Sequence, residues 1–130
     1  MAGLLLITHG RVGEAMLAMA VETLGGSPLP AQCLAVGVDD DPSAMLQQAR
    51  QMVADLGGSD IIVLTDLFGS TPSNIATRLV NDDDGLVMIT GINIPMLIRL
   101  LNYAGQDFGM LVEKAVSGGR DGIFVYEPDR

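Results

Sequence analysis

Leu4-Leu5-Leu6-Ile7-Thr8-His9-Gly10 carries the strongest structural signal in the chain. The apolar run from Gly3 to Thr8 is unbroken by polar residues, the pattern of a strand buried on both faces. It ends on His9, the one histidine of the chain, followed by Gly10. From about Val12 to Leu24 the pattern becomes helical. Strand, turn and helix with a titratable residue at the turn is where open α/β sheets do their chemistry, because the ligand crevice lies outside the carboxyl ends of the strands. A neutral imidazole is a good nucleophile at physiological pH. The bland alternative is a surface or helix-capping histidine.

Working outward, apolar runs alternate with helix-period segments. The first helix is expected to bury a face of Ala15, Met16, Met19, Ala20 and Thr23 and to stop at Gly25-Gly26. A second strand covers about Ala31 to Val36. Asp41-Pro42 opens a second helix, a cap followed by first-turn proline, running to about Leu56. A third strand spans Asp60 to Leu64, with β-branched Ile61-Ile62-Val63 at its centre. The loop Thr65 to Thr71 leads to Pro72 and a third helix, to about Val80. A fourth strand covers Leu86 to Ile89, and a helix runs from Pro95 to Tyr103. A further helix, Phe108 to Val116, is expected to break at Gly118-Gly119 before a last short strand, Gly122 to Tyr126. Such alternation with short connections predicts a parallel sheet flanked by helices. The expected order is 2-1-3-4, the flavodoxin-like arrangement, whose switch point falls between strands one and three. The last strand has no crossover helix, so it belongs at an edge or on a neighbouring subunit.

The bulk numbers narrow the function. The chain has 130 residues, which suits one domain over residues 1–130. Hydrophobic residues make up 48% and charged residues 18%, a globular composition. A formal net charge of −9 argues against nucleic acid and anionic membranes, which require a basic face. The acidic runs Asp39-Asp40-Asp41 and Asp82-Asp83-Asp84 lack a neighbouring histidine or cysteine, and read as solvated turns and helix caps in place of a metal site. Cys33 is the single cysteine, which excludes an internal disulfide. It reads as a small buried hydrophobe. No signal peptide is expected, because no basic segment precedes the first apolar run. No stretch approaches the ~18–20 apolar residues of a membrane span. A soluble, cytoplasmic protein without direct membrane insertion is expected, and one that needs no cofactor or metal.

Asp66 closes the third strand as His9 closes the first. A carboxylate accepting from one ring nitrogen fixes the tautomer and leaves the other nitrogen its lone pair. The loop Phe68-Gly69-Ser70-Thr71-Pro72 adds two hydroxyls and the opening N–H groups of a helix, an anion-binding arrangement. Gly10 offers a second helix start. A nucleophilic imidazole (His9), an orienting carboxylate (Asp66) and an oxyanion cradle at Gly10, Ser70 and Thr71 are what a transferable phosphoryl group needs. Phe68, in a glycine-flanked loop beside Asp66, is the candidate contact for a protein partner.

The stretches LLLITHG (4–10), TDLFGSTPSN (65–74) and GINIPML (91–97) resemble those of the IIA components of the mannose-family (mannose/fructose/sorbose) sugar phosphotransferase system, over essentially the whole chain. The resemblance implies a phosphotransferase with a phosphohistidine at His9, which receives its group from the phosphocarrier protein HPr and passes it to a IIB component for sugar uptake. It implies that Asp66 orients His9 and that the Thr71 hydroxyl contacts the phosphoryl group. It also implies a homodimer in which the final strand is exchanged. The family often has serine where this chain has Thr71, which keeps the hydroxyl. The sequence ends at Arg130 without the fused IIB domain of some members, which leaves the acceptor open.

Rival readings are weaker. Histidine phosphatases and phosphoglycerate mutases have arginine before the strand-end histidine, where this chain has Thr8, and need a second histidine. Tetrapyrrole chelatases use a similar His-Gly as a metal-binding group, but one histidine makes a poor transition-metal site. A stand-alone regulatory phosphorylation sensor on the same fold, with no transport role, is the alternative of substance.

Overall fold

A computed structural model describes residues 2–129, so the expected domain limits Met1 and Arg130 lie outside the described residues. Its elements alternate as β1 (Gly3–His9), α1 (Val12–Leu24), β2 (Ala31–Val36), α2 (Pro42–Asp55), β3 (Ile61–Thr65), α3 (Thr71–Asn81) and β4 (Leu86–Thr90), followed by α4 (Ile94–Asn102) and α5 (Phe108–Asp121). The strands form one parallel sheet in the order β2-β1-β3-β4. This is the expected flavodoxin-like order, and β1 and β3 are its central pair.

Side-chain alternation along each strand sorts the core into two layers. Leu4, Leu6, Ile62 and Leu64 pack under α1, α4 and α5 through Ala20, Leu97, Leu100, Leu111 and Ala115. Leu5, Ile7, Ile61 and Val63 pack under α2 and α3 through Leu46, Ala49, Ile75, Ala76 and Leu79. Both central strands therefore bury every apolar side chain, which is why they read as unbroken apolar runs. The register sets Leu6 beside Leu64 and Ile7 beside Thr65, so the carboxyl ends of β1 and β3 finish together and the next residues meet there.

The aspartate runs act as turn and cap acceptors. Asp41 caps α2 by accepting from the Ala44 N–H (3.2 Å), and Asp40 accepts from the Gly37 N–H (2.7 Å). Asp83 accepts from Gly85, and Asp82 pairs with Arg50 at 2.9 Å.

Three expectations are corrected. The buried face of α1 is Gly13, Met16, Leu17, Ala20, Val21 and Leu24, while Ala15, Met19 and Thr23 face solvent. Gly13 seats against Thr8, where a Cβ would lie 3.0 Å from the threonine side chain, and this places Gly13 on the buried face. Asp60 precedes β3 in a left-handed turn (φ 55°) instead of opening the strand. Gly118-Gly119 does not break α5, which continues to Asp121. A Cβ on Gly118 would lie 2.6 Å from Cβ of Arg99, and one on Gly119 would lie 2.9 Å from Cε of Met96. These glycines bring α5 against α4, and packing outweighs their low helix propensity. Residues 123–126 consequently form no strand within the chain. Ile123, Phe124, Val125 and Tyr126 stand 75–83% exposed without a sheet partner.

Candidate active site

His9 is the last residue of β1, level with Val36 of β2, and Asp66 is the first residue after β3. Asp66 Oδ2 lies 2.8 Å from Nδ1 of His9 and accepts the His9 backbone N–H at 3.1 Å. Oδ1 accepts the Leu67 N–H at 3.0 Å. Partial burial pushes the Asp66 carboxyl up. The hydrogen bonds from the His9 ring and from backbone N–H groups, together with the charge of the imidazolium form, outweigh that and hold it below its ordinary 3.8. An ionised carboxylate can only accept, so Nδ1 carries the proton, and in the neutral ring the lone pair is then on Nε2. The imidazole remains accessible, its side chain 48% exposed against 17% for Asp66.

Two buried hydroxyls shape the walls. Beneath the first turn, Thr8 is 1% exposed and its Oγ1 accepts the Gly13 N–H at 2.8 Å. Arg11, the residue in the N-cap position of α1, makes no side-chain cap, so Thr8 supplies it from the strand. Gly10 has φ +49° and donates its N–H to the Val36 carbonyl at 2.9 Å, which pins the turn to β2. Beneath the second loop, Ser73 is 1% exposed and its Oγ accepts from Gly69 and Ser70 N–H at 2.9 and 3.0 Å.

The sequence-predicted residues separate accordingly. His9, Gly10 and Thr71 line one open crevice of about 580 Å³, with Val38, Asp40 and Pro42 on its far wall. Ser70 lies outside that lining, and its hydroxyl donates to the Leu67 carbonyl at 2.6 Å. The amide of Gly10 is likewise spent within the fold. Phe68 is 70% exposed. Thr8, Ser73 and the fully exposed Val38 escaped the sequence reading. The serine spacing Ser70-x-x-Ser73, a capping-box spacing, was the available signal for Ser73. Cys33 takes no part: burial first, and the charge of Glu14 second, push its thiol up to about 11. Among the described residues no group of three His, Cys, Asp or Glu is placed to hold a metal ion.

The family model described as PTS system fructose IIA component matches residues 3–116, a span that includes the whole crevice. The chain is a mannose-family phosphotransferase-system IIA component. It is 31% identical over 119 residues to the mannose-specific EIIAB component of Escherichia coli K12, covering 89% of this chain and 36% of that protein. This IIA chain thus spans about a third of that relative's length. The mannose/sorbose specific IIA subunit from Enterococcus faecalis has the same fold, with a TM-score of 0.88 at 22% identity, covering 99% of this chain and 97% of that one. The PTS IIA protein associated with the fucose utilization operon of Streptococcus pneumoniae superimposes with a TM-score of 0.77 at 25% identity, over 96% of each chain.

Proposed function

We propose that this IIA chain is a phosphoryl carrier of the sugar phosphotransferase system, phosphorylated at Nε2 of His9. The observation that carries the reading is the 2.8 Å contact of His9 Nδ1 with Asp66 at the sheet's switch point. The donor is HPr and the acceptor a IIB component. In the forward step the P–N bond to the donor imidazole breaks as phosphorus bonds to Nε2 of His9. The bonding pair returns to the donor nitrogen, and His9 Nδ1 keeps its proton. Asp66 stabilises the positive charge that develops on the ring. Thr71 donates to the phosphoryl oxygens through its hydroxyl. Gly10 leaves room for them beside the start of α1, whose first N–H groups favour an anion. Ser70 serves as a tie within the loop.

The reading carries further expectations. The protein works in the cytoplasm, consistent with the absence, among the described residues, of a helix long and apolar enough to cross a membrane. Residues 1–130 act as one domain. Two chains associate through the exposed segment Ile123–Tyr126, which finds at a partner the sheet edge it lacks in its own chain.

The test is incubation with phosphoenolpyruvate, enzyme I and HPr, followed by mass mapping. One acid-labile, base-stable phosphate on His9 is expected, and His9→Ala should take up none while remaining folded. Label on Ser70 or Thr71 would overturn the assignment, and nitrogen-resolved NMR showing substitution at Nδ1 would overturn the choice of nitrogen.

A further inference from the structure

Among the described residues, the buried polar side chains are Thr8, Thr65 and Ser73, and all three stand at the end of the molecule that carries His9. Ser73 is the most fully bonded of them. Its hydroxyl accepts from the Gly69 and Ser70 N–H groups and donates to the Ser70 carbonyl at 2.9 Å, so one proton and two lone pairs are all used. The loop it gathers is tied again by the Ser70 hydroxyl on the Leu67 carbonyl. Leu67 in turn donates its N–H to Oδ1 of Asp66, whose other oxygen holds His9. A path of hydrogen bonds and the backbone between them therefore runs from the first turn of α3, through Ser70 and Leu67, to the imidazole.

We propose that Ser73 is a positioning residue of the phosphoryl-transfer site: it sets the β3–α3 loop so that Leu67 N–H fixes the rotation of the Asp66 carboxylate, and through it the tautomer and aim of His9. The inference rests on the phosphoryl-carrier reading for its kinetic consequence, and on geometry alone for its structural one. A carboxylate free to rotate about its χ2 bond presents a moving acceptor. One oxygen held by Leu67 leaves the other directed at both the ring and the backbone of His9. Loss of Ser73 Oγ would leave two loop N–H groups without their shared acceptor. The loop would then relax toward solvent and release Leu67. The Ser70 carbonyl would keep a partner in the Asn74 N–H at 2.9 Å, so the helix start itself would survive.

The test compares Ser73→Ala, Ser73→Thr and Thr77→Val in the full chain. Thr77 Oγ1 donates to the Ser73 carbonyl from the same helix and lies 3.7 Å from Met88 Sδ on β4, without touching the loop, so Thr77→Val reports on the stability and packing of α3 apart from the loop. Two readouts are taken: nitrogen-resolved NMR of the unphosphorylated His9 ring with Leu67 amide exchange, and the single-turnover rate of phosphoryl uptake from phospho-HPr. For Ser73→Ala the expectation is a mixed-tautomer ring, Leu67 exchange faster by about tenfold or more, and uptake slowed by about tenfold or more. Ser73→Thr, which retains the hydroxyl, should restore both, and Thr77→Val should alter neither beyond twofold. A wild-type ring and Leu67 exchange in Ser73→Ala would overturn the proposal, as would equal slowing by Thr77→Val at matched thermal stability. If the wild-type protein accepts no phosphoryl group, the carrier reading fails, while the ring and amide signals still decide the role of Ser73.

Discussion

At the scale of single residues, the site depends on one carboxylate doing two things. Asp66 holds Nδ1 of His9 and, with the same oxygen, the His9 backbone N–H, so it fixes both the ring and the strand end that bears it. Asp66→Ala should therefore slow phosphoryl uptake by ~10²-fold or more, the worth of a positioned acid–base partner, in a stopped-flow or quench assay against phospho-HPr. The same contacts make a pH prediction. The folded carboxyl lies below its ordinary 3.8, so its contribution to stability is present above that value. That contribution is lost as pH falls through the lower folded value. Thermal melts from pH 6 down to pH 2 should show the wild type losing more stability below about pH 4 than Asp66→Asn does. Parallel curves would remove Asp66 from the list of acid-sensitive groups. His9 and Asp66 were legible in the sequence because each is the polar residue at which an unbroken apolar run stops. Thr8 and Ser73 were not, because a buried hydroxyl differs from an exposed one only through what the fold packs over it.

At the scale of elements, the two central strands and the caps were legible, and so was the start of the last helix at Phe108, but not its end at Asp121. β1 and β3 declare themselves because burial on both faces removes polar residues from the whole run. Gly25 ends α1 as a left-handed cap (φ 80°), a role local chemistry dictates. Gly118 has the same identity and the opposite role, since its missing Cβ is set by Arg99, nineteen positions earlier in the chain. Gly118→Ala should consequently destabilise the protein by about 1–3 kcal/mol in a denaturant titration, despite alanine's higher helix propensity. Gly105→Ala, which meets nothing within 4 Å, should stay within about 0.5 kcal/mol of wild type. A stabilised Gly118→Ala would mean that α4 and α5 do not pack as described. The loop between β3 and α3 makes a separate prediction. Phe68 is 70% exposed, so its side chain contributes little to the core. Phe68→Ala should lower the rate of transfer from HPr several-fold while leaving the melting temperature within a few degrees of wild type. A variant that unfolds, or one that transfers at the wild-type rate, would put the partner surface elsewhere.

At the scale of the whole molecule, four consecutive apolar residues are left in water. Ile123, Phe124, Val125 and Tyr126 are each at least 75% exposed, and they follow a helix that ends at Asp121. Beside them an open hollow of about 400 Å³ borders β4, lined by Met88, Thr90, Val116 and Ile123. β4 is one of the two outer strands of the sheet, so its far edge carries unpaired backbone groups. An apolar β-branched segment and an open strand edge on the same molecule are complementary. Exchange between two identical chains satisfies both with one twofold contact. The sequence showed the segment but misplaced its hinge: α5 runs through Gly118-Gly119, so the chain departs only after Gly122. The deletion that separates dimerisation from folding must therefore begin at Ile123 and spare the helix. A chain truncated after Gly122 is expected to sediment as a monomer at micromolar concentration with its helical circular dichroism retained, and the full chain is expected to sediment as a dimer. The net charge of −9 opposes self-association, so added salt should strengthen the full-length dimer. A full chain that is monomeric at every salt concentration, or a truncated one that still dimerises, would show that residues 123–126 are covered by something other than a second copy of this chain.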